Sequence, residues 1–185
     1  MDALHLIRRL ARNEAWANHR LHAAVAELPP ADYHQLGRTS FFPSIHLTLS
    51  HLLHVELFYV DALIRGGRGA LVWADNERCD REGTFEQVRL AQAEVDRALL
   101  DWLDGLTEAG ELEQSVALPR RDRVQRESAA DVLLHLVEHQ IHHRGQVHAM
   151  LSGSTVRPPQ LDEFFLQDDL PLRRDELVQI GLPVE

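Results

Sequence analysis

At 185 residues the chain is long enough for one domain with a substantial core and too short to require two. Its formal charge of −10 argues against a surface that neutralises nucleic-acid phosphates, although the cluster Arg120-Arg-Asp-Arg123 could still act locally. All 19 cationic residues are arginine, which excludes lysine Schiff-base chemistry and a P-loop; the single cysteine, Cys79, excludes disulfide frameworks and multi-cysteine zinc sites.

The chain opens Met-Asp-Ala-Leu-His, without a basic segment followed by an apolar stretch, and it contains no run of about 18 apolar residues. Neither a signal peptide nor a membrane span is expected, and the expected location is cytoplasmic. Residues 2–28 carry Leu4, Ile7, Leu10, Ala11, Ala15, Leu21, Ala24 and Leu28 at three- and four-residue steps until Pro29-Pro30 stops the pattern, which predicts helix one. A loop rich in turn formers leads to Pro43-Ser44, where helix two begins; it runs over 44–65 and ends at Gly66-Gly67. Cys79 follows with no adjacent helix or histidine cluster to activate it as a nucleophile.

Thr84-Phe-Glu-Gln87 has the form of a capping box, and Val88, Ala91, Val95, Leu99, Trp102 and Leu106 then keep a helical period, predicting helix three over 84–107. The alternation across 112–118, followed by Pro119 and a charged turn, suggests a small two-stranded ribbon. Ser128-Ala-Ala-Asp131 then caps helix four, which runs to about Ser152 and stops at Gly153. The remaining residues include Pro158-Pro159, Phe164-Phe165 and a short helical stretch near 173–180; paired aromatics need burial, so this segment reads as a packed extension. The expected fold is all-α: one domain over 1–185, an antiparallel four-helix bundle with long connections (core about 2–153), a short hairpin before helix four and a C-terminal extension over 154–185.

The chemistry is concentrated in His135-Leu-Val-Glu-His139-Gln-Ile-His142-His143-Arg-Gly-Gln146. A helix turns about 100° per residue, so His139 and His143 lie about 40° apart on one face and can converge on one ion. His135 is about 12 Å along the axis from His143, too far to join both, so a third ligand must come from another element. Helix two offers His46, His51 and His54. In projection His51 sits in an apolar stripe with Leu47, Val55, Phe58 and Ala62, whereas His54 falls with Ser50 and Asp61 and reads as a polar-edge residue. An imidazole among apolar neighbours needs a partner, which metal ligation or hydrogen bonding would supply; spacing alone does not choose between them. His5, His19, His22 and His34, taken singly, read as structural. Helix four is apolar on both sides, with Leu133, Leu134, Val137 and Ile141 opposite its histidines, so a tail or a second subunit should cover that face.

The sequence resembles the DinB-like (DinB/YfiT) superfamily of bacterial four-helix proteins across nearly its whole length. The resemblance rests on Trp16-Ala-Asn18, on Ser44-Ile-His-Leu-Thr-Leu-Ser-His51-Leu-Leu-His-Val-Glu56, on the helix-four motif, and on Pro158-Pro-Gln-Leu-Asp162 with its aromatic follow-on. It implies a divalent metal held by His51, His139 and His143, a homodimer, and, from some relatives, transfer of low-molecular-weight thiols to electrophiles or thiol-assisted isomerisation. Zinc or nickel suits such a ligand set best and iron less well, since no carboxylate completes a facial triad. The expected partner is a small-molecule substrate or thiol, with no nucleic acid and no membrane. Two functions follow: a metal-dependent enzyme of thiol-transferase or hydrolase type that activates water or a thiol, or a non-catalytic, stress-associated module with a structural metal. Glu56, Glu138 and Gln146 are candidates to orient the ligand rings or a bound water, although Glu56 projects about 140° from His51 and could serve the other face, and His135 and His142 are candidates to shuttle protons or simply hydrogen-bond.

Overall fold

Residues 2–69, 71–72 and 83–184 are described by the computed structural model, so the reading of Cys79 lies outside the described residues. Each long helix starts where a short polar side chain can satisfy an orphan backbone amide. Asp2 accepts from the His5 amide to start α1 (Ala3–Val25), and Ser44 accepts from the Leu47 amide to start α3 (Ile45–Arg65). A one-turn helix, α2 (Pro30–His34), lies between them. Thr84 and Gln87 form the expected reciprocal capping box at the head of α4 (Phe85–Gly105). Ser128 caps α5 (Ala129–Ser152) through the Asp131 amide, and α6 (Leu170–Gln179) closes the chain. Gly66, at φ 78°, ends α3 in the left-handed conformation that costs glycine least.

The ribbon before α5 is present as β1 (Ser115–Pro119) paired antiparallel with β2 (Val124–Ser128), with Ser115 opposite Ser128 and Pro119 opposite Val124. It starts later than the sequence alternation suggests, because Leu112 is buried from a 3-10 turn over Ala109–Glu113. Arg120, from the arginine cluster that could act locally, donates to the Tyr59 hydroxyl at 3.1 Å and stacks 5.0 Å above the Phe58 ring, fastening the ribbon to α3.

Side-chain contacts fix the helix directions. The pairs Arg8 with Leu103, Asn18 with Asp96 and His22 with Phe85 make α1 and α4 antiparallel. Tyr59 with His135 and His51 with His143 make α3 and α5 antiparallel. Tyr33 touches both His46 and Phe85, and Gln92 reaches Glu56, so neighbours α3 and α4 run the same way. A parallel pair needs a long return connection, and residues 66–84 supply one. The bundle thus presents an α1–α4 face opposite an α3–α5 face.

The core between them is apolar, with Trp16, Leu21, Leu53, Leu103 and Leu151 among its most buried side chains. A polar seam runs through it. Arg144 of α5 donates to both carboxylate oxygens of Glu14, at 2.5 and 2.9 Å, and to the Asn18 side-chain oxygen at 3.0 Å. Asn18 donates to Asp96 at 3.0 Å; Gln92 donates to Asp96 at 2.9 Å and to Glu56 at 2.6 Å; Gln140 donates to Glu56 at 2.7 Å. Burial, and after it the nearby Asp96 carboxylate, raise the Glu56 pKa, and burial moves Asp96 up to about 6.

The tail packs as expected. Phe164 is buried 5.5 Å from the Trp16 ring, while Phe165 stays partly exposed beneath Arg9. Glu176 of α6 accepts from the Trp16 indole at 2.7 Å and pairs with Arg20 at 2.9 Å. On α5, Leu133 is buried with Ile7, Ala11 and Leu99 in the core, but Leu134 and Ile141 are each 53% exposed, so part of the face opposite the histidines stays uncovered.

Removing Arg144 alone leaves the Glu14 charge buried without its partner. Arg144→Leu is expected to cost about 3–5 kcal/mol in urea unfolding, and Glu14→Leu combined with it to recover much of that loss.

Candidate metal centre

Three imidazoles meet on the α3–α5 face. His51 sits one and a half turns into α3, and His139 and His143 lie one turn apart on α5, so the antiparallel pairing brings the three rings level. Their ring centroids are 4.5 Å apart for His139 and His143, 4.6 Å for His51 and His143 and 4.9 Å for His51 and His139. One ring nitrogen from each lies within 4.8 Å of the other two, an arrangement that could hold a metal ion. His143 is buried and the other two are partly exposed, so the cluster reaches solvent on one side. Phe42, its ring 4.5 Å from His51 and 5.8 Å from His143, covers another side.

The donor set fits a divalent ion. The Nε2 atoms of His51 and His139 face each other at 3.0 Å, a separation that either a shared proton or a shared metal can explain. Ligand nitrogens about 2.0–2.1 Å from one metal stand about 2.9–3.3 Å from one another, so His51 and His139 already stand at ligand spacing, and a His143 nitrogen lies within 4.8 Å of them. His143 Nδ1 lies 2.9 Å from the Gln146 side-chain oxygen; with the proton on Nδ1, its Nε2 lone pair is free for an ion. Desolvation, followed by the neighbouring imidazoles, lowers the pKa of His139 to about 3 and that of His51 to about 4. Burial also lowers the His143 pKa, against the opposing hydrogen bond that its ring donates to Gln146. Neutral imidazole is the form that binds metal.

The other sequence candidates separate. Gln146 orients His143 and also lies 3.0 Å from His142 Nε2, as the spacing of the motif allows. Glu56 is in the polar seam, accepting from Gln92 and Gln140, because its helix angle points it into the core; it does not orient a ligand ring. Glu138 is exposed. His135 is also exposed, its ring packed against Tyr59 at 5.2 Å and its centroid 6.1 Å from that of His139. His54, expected at a polar edge, is 3% exposed, and Ser50 and Asp61 are buried with it. The cause is tertiary: α2, α4, α5 and β1 all pack against α3 and leave it almost no polar edge. Sequence reasoning did not find Phe42; only the return of its loop onto α3 places that ring beside the histidines.

A helical bundle with a three-histidine cluster, two of its histidines one turn apart, is the class of protein that fold and site define. The DinB family model matches residues 3–171, and the chain belongs to the DinB family. The match spans all four long helices and stops at the start of α6. No curated protein matches the chain.

In the metal-free protein, the ring resonances of His51 and His139 are expected to keep neutral-form positions from pH 7 down to about 5. A nitrogen-15 NMR titration reads this directly. Protonation of either ring near the ordinary value of about 6.5 would contradict the packing described here.

Proposed function

We propose that His51, His139 and His143 hold a divalent metal with at least one coordination position left to solvent or substrate, and that the protein is a metal-dependent enzyme acting on a small molecule. The supporting observation is the convergence of three neutral ring nitrogens at a partly exposed cluster with no fourth His, Cys, Asp or Glu ligand among the described residues. Structural zinc sites fill all four positions from protein, whereas catalytic ones keep one open. A bound ion would supply Lewis acidity and lower the pKa of a coordinated water or thiol.

The surrounding residues favour that chemistry. Gln146 fixes the tautomer and ring plane of His143, and Phe42 limits water on one side. His135 and His142 stand exposed beside the cluster on the same helix, within reach of protons exchanged with solvent. A low-molecular-weight thiol or water is the nucleophile this reading assigns, with transfer or hydrolysis as the reaction class and zinc or nickel as the ion. A structural metal in a non-catalytic module is the second reading; it predicts a large loss of stability when metal is removed and no exchangeable ligand.

We place the protein in the cytoplasm. Helix α3 is long and apolar enough to cross a membrane, but 67% of its apolar window is buried inside the bundle. The half-exposed Leu134 and Ile141 support a homodimer through α5. Sedimentation of the wild type is expected to give a dimer, and Ile141→Glu a monomer.

Elemental analysis of protein purified without added metal is expected to find about one zinc or nickel per chain, and His139→Ala to lose it. The loaded wild type should consume small thiols in the presence of electrophiles, or hydrolyse activated esters or amides, and His139→Ala should do neither. Unchanged metal content in that variant would remove the assignment.

A further inference from the structure

A cleft with a volume of about 480 Å³ lies on the α1–α4 face, on the opposite side of the bundle from the histidine cluster. That is the size of small-molecule sites generally. Its apolar wall is made by Ala15, Ala23, Ala93 and Leu100, with short side chains where Leu, Ile and Val fill other parts of the bundle. Ile180 and Leu182 of the tail close one end. The tail is held there by Arg97, whose guanidinium donates to the Ile180 carbonyl.

The polar groups of the cleft give it a ligand's requirements. His22 lines it and is only 5% exposed, yet no hydrogen bond to its ring is formed among the described residues. Its one described ring contact is edge-on to Phe85, at 5.8 Å. Burial, then the charge of Arg89, lowers its pKa to about 3, so at neutral pH it offers one N–H donor and one acceptor. Neither ring nitrogen is both fully buried and unpartnered, so the ring edge opens onto the cleft, where a ligand can replace water as its hydrogen-bond partner. At the mouth are His19 and two cations, Arg89 and Arg97. Arg89 is paired with Glu86, but Arg97 spends only one nitrogen on the tail. Asp96 also lines the cleft, but its oxygen already accepts from Asn18 and Gln92.

We propose that this cleft is a second binding site, independent of the metal centre, for a small carboxylate with a flat apolar body. The carboxylate meets Arg97 and His19 at the mouth, the body lies along the alanine wall, and a polar atom of the ligand engages the His22 ring. An anion is favoured here despite the overall charge, because Arg89 and Arg97 are gathered at the mouth and the Asp96 charge is offset by Arg144 in the seam.

The probe is indole-3-acetate, which combines a carboxylate, a flat ring and one N–H, titrated into the full chain by calorimetry and followed by nitrogen-15 NMR of the histidine rings. Expected are one saturable site with a Kd in the micromolar to low millimolar range and a shift of the His22 ring signals. Arg97→Glu should weaken binding about tenfold or more, and so should replacing the probe by the uncharged indole-3-ethanol. Ala93→Trp should fill the cleft and abolish binding; Ala93→Leu, a smaller change on an exposed helix position, should weaken it if the tryptophan variant does not fold. His139→Ala should bind as the wild type does. Unmoved His22 signals at millimolar probe, unchanged affinity in a folded Ala93 variant, or loss of binding in His139→Ala would each overturn the proposal. Failure of the metal assignment leaves these outcomes untouched, so the two readings fail separately.

Discussion

The Arg144–Glu14 pair is the contact on which the arrangement of the molecule depends. It joins the last bundle helix to the first, and Asn18, Asp96, Gln92, Glu56 and Gln140 carry the hydrogen bonds on through the other two. Apolar side chains alone would tolerate a one-turn slip of α5 against its neighbours, since one leucine can replace another at modest cost. A guanidinium gripping a carboxylate through two nitrogens in a dry interior does not tolerate it, because any slip leaves both charges unpaired. The register so fixed is the register in which His139 and His143 stand level with His51.

The seam holds three carboxylates against one guanidinium. Burial raises Glu14 as well as Glu56 and Asp96, even though Arg144 pulls Glu14 the other way. Dehydration is therefore the stronger influence on each, and protonation of Glu56 relieves its repulsion with Asp96. Stability contributed by these raised groups is greatest at low pH. It is lost for Asp96 as pH rises through its folded value of about 6, since the folded state binds protons the unfolded state has released. His22, lowered to about 3, acts in the opposite sense and loses its contribution as pH falls below the ordinary 6.5.

The same seam separates two surfaces of unlike chemistry. On the α3–α5 side, imidazoles face one another with lone pairs available to a cation. On the α1–α4 side, Asn18 and Asp96 from the seam reach the wall of an alanine-lined cleft whose mouth carries arginines. Chemistry at either surface rests on a scaffold that both share, while the ligands each would accept have opposite charge.

Much of this was written in local sequence. Capping residues Ser44, Thr84 and Ser128 and the stops at Gly66 and Gly153 set the helix ends, because a cap acts on amides within one turn of itself. The one-turn spacing of His139 and His143 set their common face for the same reason. The direction of α4 beside α3, the burial of His54 and Glu56, the approach of Phe42 to the histidines and the opening of the His22 ring onto the α1–α4 cleft were decided only by packing. Each depends on which distant segment covers a helix face, and helical periodicity specifies the face without specifying the cover.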